Sequence, residues 1–187
     1  MGTKRRILTA DSVEEFVLAG DNEAHWLTRT GQGWQPAGAT KRVTGVAACL
    51  TPNGSRALLL GQRPAVLDHD GNQRSLTDLD SAGACAWARS GGIVAELSVT
   101  GDGQPSRVRV VNGKDVVRWQ QDTAGQVRVT ADPTGSRVAY QADRVLHEID
   151  TERGVELRAI PGVQAARYDA NGDLVTIADD GTVSWRR

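Results

Sequence analysis

The chain has no surplus of charge. Its 22 Lys and Arg stand against 23 Asp and Glu. A bulk binder of nucleic acid or of an anionic membrane carries a strong positive excess, so that class is excluded. Long apolar runs are missing too. The longest resemble "ALLL" at 57–60, far short of the roughly 20 residues of a helical membrane span. The opening "MGTKRRILTADS" lacks an apolar core, so no secretory leader is expected, and Arg6 stands where N-myristoylation requires Ser or Thr. Cys49 and Cys85 are the only cysteines. Two are too few for a disulfide framework, and the expectation is a cytoplasmic protein with both as buried, reduced thiols. Amphipathic helices are absent as well: no window long enough for a helix holds an i, i+3, i+4, i+7 apolar stripe between caps.

What is present is repetition. "PNGSRALLL" at 52–60 returns as "PTGSRVAYQ" at 133–141. Gly31, Gly71, Gly113 and Gly154 are separated by 40, 42 and 41 positions, and Gly54, Gly92, Gly135 and Gly172 by 38, 43 and 37. Two interleaved glycine series sharing a period of about 40 indicate a repeat architecture, and strand-like content at that period points to β-propeller blades. The content is strand-like. "SRALLLGQ", "SRVAYQAD" and "GDLVTIAD" are short, apolar or β-branched, and closed by turn residues. "RVRVVNGKDVVRW" alternates around Asn-Gly, a hairpin signal.

The reading is an all-β chain: a small β-propeller of about five four-stranded antiparallel blades in a single domain, 1–187, or a fragment of a larger propeller. The repeats run over about 4–40, 43–80, 81–125, 126–162 and 163–187. Gly54 and Gly135 are expected to take φ > 0 in the turn between first and second strands. "TPNGSRALLL", "DPTGSRVAYQ" and "DANGDLVTIADDGTVSW" resemble the WD40-like and TolB-type propeller repeats, whose common core is an Asp-Gly turn followed by an apolar strand. The resemblance implies the fold. It does not carry over the hydrogen-bond network of true WD40 repeats, because the chain has no Gly-His and no Trp-Asp dipeptide.

Chemistry-bearing patterns are weak. "DHDGN" at 68–72 fails as a calcium loop: counted from Asp68, the sixth and twelfth positions are Gln73 and Leu79 rather than Gly and Glu. "DANGD" and "DDG" read as Asx turns, and "GDGQP" at 101–105 as a long hairpin loop. His25, His69 and His147 fall in separate repeats. Trp26, Trp87, Trp119 and Trp185 fall in strands, and Trp34 follows a turn. No carboxylate pair or nucleophile–base set stands out. No metal or cofactor is expected, and a non-enzyme is favoured over an enzyme.

The functional expectation is therefore a non-catalytic scaffold that binds a protein or peptide, with no nucleic acid or membrane partner. The alternative is binding or hydrolysis of a small, carbohydrate-like ligand in a central pocket. Turns between second and third strands, with the connections between blades, are expected to form the partner face through Asn22, Lys41, Arg42, Arg63, Asp80, Asp102, Gln104, Asp122, Asp143 and Asp180. The last repeat supplies only three strands. Val183 and Trp185 then lie on an open edge through which the chain could form a homo-oligomer.

Overall fold

The computed structural model describes residues 6–9, 15–20, 23–42, 47–52, 54–60, 64–68, 70–76, 82–97, 106–124 and 127–187. Among them there is no helix. The chain divides into two compact units, Met1–Ala82 and Gly83–Arg187.

The first unit holds two antiparallel meanders. One is β1 (Arg6–Thr9), β2 (Glu15–Gly20), β3 (Glu23–Thr30) and β4 (Gly33–Arg42); the other is β5 (Ala47–Leu50), β6 (Arg56–Leu60), β7 (Ala65–Asp68) and β8 (Gln73–Ser75). Ala24 and Trp26 of β3 share a buried cluster with Ala57, Leu59 and Leu67. Alternation along each strand sends these side chains to one face.

The second unit holds three sheets. The first runs β9 (Ala82–Trp87), β10 (Ile93–Leu97), β11 (Ser106–Val111), β12 (Val117–Thr123). The second runs β13 (Arg128–Ala131), β14 (Arg137–Ala142), β15 (Val145–Asp150), β16 (Val155–Pro161). The third has only β17 (Val163–Tyr168), β18 (Leu174–Ala178) and β19 (Val183–Arg186). In every sheet each strand pairs with its neighbour in sequence. Period-two alternation divides β14 between two cores. Val138, Tyr140 and Ala142 join Ile149, Val94, Val108 and Val110 on one side. Ala139 joins Leu146, Val163, Tyr168 and Leu174 on the other. Each large apolar side chain buried this way contributes about 1.5–3 kcal/mol. The all-β, antiparallel, four-stranded organisation agrees with the reading of the sequence.

One turn recurs. The amides of Asp68, Ala88, Asn112, Asp169 and Ala178 donate to the carbonyls of Asn72, Gly92, Val116, Asp173 and Thr182, at 2.7–3.0 Å. The third residue of each turn has positive φ: Gly71, Gly91, Asp115, Gly172 and Gly181, at 63–92°. This is the three-residue hairpin closed by a left-handed residue, a conformation that glycine adopts without a Cβ penalty. Two expectations change here. In "VNGKDVV" the left-handed residue is Asp115, not the glycine of Asn-Gly. Gly54 does take φ 71°, but Gly135 has no positive φ. The Asp132 carboxylate accepts from Thr134 N at 2.8 Å and organises that turn instead. A Cβ at Gly135 would stand 2.9 Å from Asp132 Oδ2, so any other residue there would have to displace that carboxylate.

Neither Cys49 nor Cys85 is a free thiol, which corrects the expectation of reduced thiols.

Candidate interaction face

In an antiparallel meander, the turn between the second and third strands emerges at one end of the sheet, with the connection to the next sheet. In the second unit this end is built from charged residues held by short-range bonds. β14 and β15 pair from Ala142 opposite Val145, leaving a two-residue turn, Asp143–Arg144. Both residues are left-handed, at φ 50° and 63°. That is the hairpin turn whose twist matches the strands, and it favours Asn-Gly. Non-glycine residues there cost about 1–2 kcal/mol each.

Neighbouring groups hold the strained turn in place. Arg144 O accepts from Val163 N at 3.1 Å, and Asp179 N donates to Gly162 O at 3.0 Å. The exposed Arg144 guanidinium lies 3.4 Å from Asp179 Oδ2. At the same end Arg107 forks onto Asp122, with Nε to Oδ1 at 2.5 Å and Nη2 to Oδ2 at 3.2 Å. This contact holds the Asp122 carboxyl below the usual carboxylate range and raises Arg107. The Asp180 carboxyl is lowered because the Thr182 amide donates to it at 2.9 Å.

The buried charge lies elsewhere, inside the sheet packing. Glu148 and Asp132 are almost wholly buried. Arg137 reaches Asp132 Oδ2 at 2.8 Å and Glu148 Oε1 at 3.4 Å, and donates to the Gly172 carbonyl at 2.7 Å. Tyr168 Oη donates to Glu148 Oε1 at 2.8 Å, and the Arg137 guanidinium sits 5.5 Å from the Tyr168 ring centre. Arg158 Nε stands 2.5 Å from Glu148 Oε2, an ion pair without hydrogen-bond alignment. Burial works against the Arg137 charge, but Asp132, followed by Tyr168 and Glu148, outweighs it and holds the guanidinium above its ordinary range.

The chain's two tyrosines are both shifted. Burial pushes the Tyr140 phenol up to about 12. Burial and then the charge of Glu148 push Tyr168 higher still. The folded state holds these protons beyond the ordinary value of 10, so the stability they contribute is complete below that pH. It is lost as pH rises from there through about 12. Alkaline titration should show phenolate absorbance rising only together with loss of near-ultraviolet circular dichroism. Phenolate formation near pH 10 with the fold intact would contradict this.

Of the residues expected on the partner face, the structure places Asp122, Asp143 and Asp180 at the same end of their sheets. Asp122 is a correction in detail, because it lies inside β12 and not in a loop. Lys41 and Arg42 likewise end β4, opposite Ala24 and Glu23, rather than lying in a loop. Asn22, Arg63, Asp80, Asp102 and Gln104 lie outside the described residues, as does His69. Arg107, Arg144 and Asp179 belong to this end and escaped the sequence reading. The signal for Arg144 was available in "QADRV", where two polar residues separate two strands. Of the tryptophans, Trp26 and Trp87 are buried and Trp119 packs on the core, whereas Trp34 and Trp185 are exposed. His147 stacks on Tyr140 and meets Glu156 at 2.7 Å, consistent with a strand-packing residue. Among the described residues no group of three or more His, Cys, Asp or Glu is placed to hold a metal ion.

No family model and no curated protein matches the chain. Solved structures do. The chain is similar to Hsv2 of Kluyvelomyces marxianus, a WD40 β-propeller, with TM-score 0.64 and 13% identity over 92% of this chain and 56% of that one. It is also similar to a chain of the mitotic checkpoint complex, which contains WD40 subunits, with TM-score 0.61 and 14% identity over 97% of this chain and 61% of that one. The chain thus spans about three-fifths of the length of these two. At such identities the likeness is one of fold alone, and it supports a WD40-like propeller fold built of antiparallel, mostly four-stranded sheets.

Proposed function

We propose that the protein is a non-catalytic scaffold whose sheets act as propeller blades and present one end to a protein or peptide partner. The Asp143–Arg144 turn carries the reading. Two charged residues are held in a strained, left-handed backbone geometry at an exposed tip, with the Arg144 guanidinium 3.4 Å from Asp179 of the next sheet. Strain that surrounding bonds maintain is characteristic of binding positions, and a rigid charged rim favours selective partner recognition. The disposition of buried charge agrees. Asp132 and Glu148 spend their capacity within and between sheets rather than towards a reacting group.

The test is Asp122→Lys combined with Asp143→Lys. Both sites are exposed, so the melting temperature should fall by no more than about 2–4 °C. Proteins captured from extracts of the source cells by the wild type should be lost by the double variant. An unchanged set of captured proteins would remove the proposal.

A further inference from the structure

Three Asn-Gly pairs stand in the chain, at 53–54, 112–113 and 171–172. Asparagine is one of the chemically labile residues. Before a glycine it can react with the main chain: the glycine nitrogen attacks the side-chain amide carbon and ammonia leaves. A fold ordinarily slows this by engaging that nitrogen. The Gly54 amide donates to Thr51 O at 2.8 Å, and the Gly172 amide to Asp169 O at 3.1 Å. Asn53 itself lies outside the described residues. The Gly113 amide donates to nothing among the described residues.

The turn from β11 to β12 sets the other reacting groups. Asn112 is wholly buried, and its Oδ1 accepts from the amides of Lys114 and Val116 at 3.0 and 3.1 Å. Two main-chain donors on one carbonyl oxygen polarise Cγ. They also stand where negative charge develops on Oδ1 once Cγ is attacked. Nδ2 is buried and meets no acceptor among the described residues, so no bond holds the leaving group. Gly113 is exposed, and water can reach the peptide. Its lack of a side chain is enforced by packing: a Cβ there would lie 2.7 Å from the Ser90 carbonyl oxygen. The glycine that this close approach requires also leaves its own nitrogen unhindered.

We infer that Asn112 is a self-modification site, which the fold drives to aspartate or isoaspartate by ring closure on Gly113. Gly113 N gives its proton to solvent and bonds to Cγ. The carbonyl electron pair moves onto Oδ1, between the two amides. Its return re-forms the carbonyl and expels Nδ2, which takes a proton from solvent and leaves as ammonia. Water then opens the succinimide. Breaking the N–Cγ bond leaves aspartate in an unaltered main chain. Breaking the bond from N to the main-chain carbonyl carbon leaves isoaspartate. Two of the recurring turns show that the fold accepts the first product. Asp169 begins one, and its Oδ1 accepts from the amides two and four residues on, Asn171 and Asp173, at 2.9 Å each. Asp68 begins another and takes the Asn72 amide at 2.7 Å. Asn112 holds the same two amides as Asp169. Those bonds could instead lock an unreactive side chain, and the rates in the folded and unfolded chain separate the two cases.

The inference stands independently of the partner face proposed above, and its test needs no variant. The full chain is held folded in mildly alkaline buffer made with heavy-oxygen water, and a second sample is held unfolded in urea. Peptide mass mapping reads the label that hydrolysis leaves at each Asn-Gly pair. In the folded protein Asn112 should convert about tenfold or more faster than Asn171. It should also convert faster than it does in urea, where the Lys114 and Val116 amides no longer meet Oδ1. The two sites should converge in urea, since both are then plain Asn-Gly pairs. An Asn112 no faster than Asn171 in the folded protein would overturn the inference. So would an Asn112 that reacts faster in urea than in the fold, because the turn would then protect the side chain.

Discussion

Replacing Arg137 with Met is expected to cost about 3–5 kcal/mol of stability and to lower the melting temperature by roughly 6–20 °C. Methionine conserves the length of the chain and removes the charge. Asp132 and Glu148, 1% and 0% exposed, would then keep their carboxylates without the cation between them. The Gly172 carbonyl would lose its donor, and with it one bond between adjacent sheets. The penalty arises chiefly from the buried charge of Asp132, since Glu148 keeps Arg158 at 2.5 Å, rather than from a lost attraction. A second change that neutralises Asp132 should therefore recover part of it. Arg137→Met and Asp132→Asn should be coupled by about 1–3 kcal/mol in a double-mutant cycle. Urea denaturation of the four proteins measures this, and strictly additive losses would show that the groups do not act together.

Gly154→Ala should be nearly as severe, at about 2–5 kcal/mol. Gly154 has φ 66°, which costs an alanine about 1–2 kcal/mol by itself. A Cβ there would also meet the Arg118 main chain, with its carbonyl carbon at 2.9 Å. Backbone cannot rotate out of the way as a side chain can, so the turn after β15 would have to move off β12, at roughly 1–3 kcal/mol more. Gly162 provides the matched control, with φ 69° and nothing within 4 Å of an added Cβ. Gly162→Ala should lose only the conformational part. Equal melting temperatures for the two variants would mean that the approach to Arg118 is not close in solution.

The strands in "SRALLLGQ", "SRVAYQAD" and "GDLVTIAD" were legible because turn residues close short apolar or β-branched runs. The three-stranded ending was legible for the same reason. The conformation of Gly135 was not. Thr51 and Asp132 occupy matching positions before "PNGSR" and "PTGSR", and nothing in the local pattern says that the Asp132 carboxylate captures the amide two residues on. The Arg137–Glu148–Tyr168 cluster was also hidden. In "VLHEID" the glutamate occupies an ordinary place in an alternating strand, and its burial depends on a neighbouring sheet that local pattern does not contain. Arg144 was missed because Asp-Arg is not the glycine-bearing pair that a left-handed two-residue turn usually announces.

Sequential strand order also has a consequence for the chain during synthesis. Every sheet joins only consecutive strands, so its ladders close small loops, and their entropic cost is low. Low contact order favours fast, local folding. A sheet has all its partners once its last strand has left the ribosome, and it need not wait for distant sequence. Translation at about 5–20 residues per second is slow beside hairpin closure in microseconds. In the second unit each later meander can therefore shelter its apolar face on the sheet before it, and little strand edge stays open to neighbouring nascent chains.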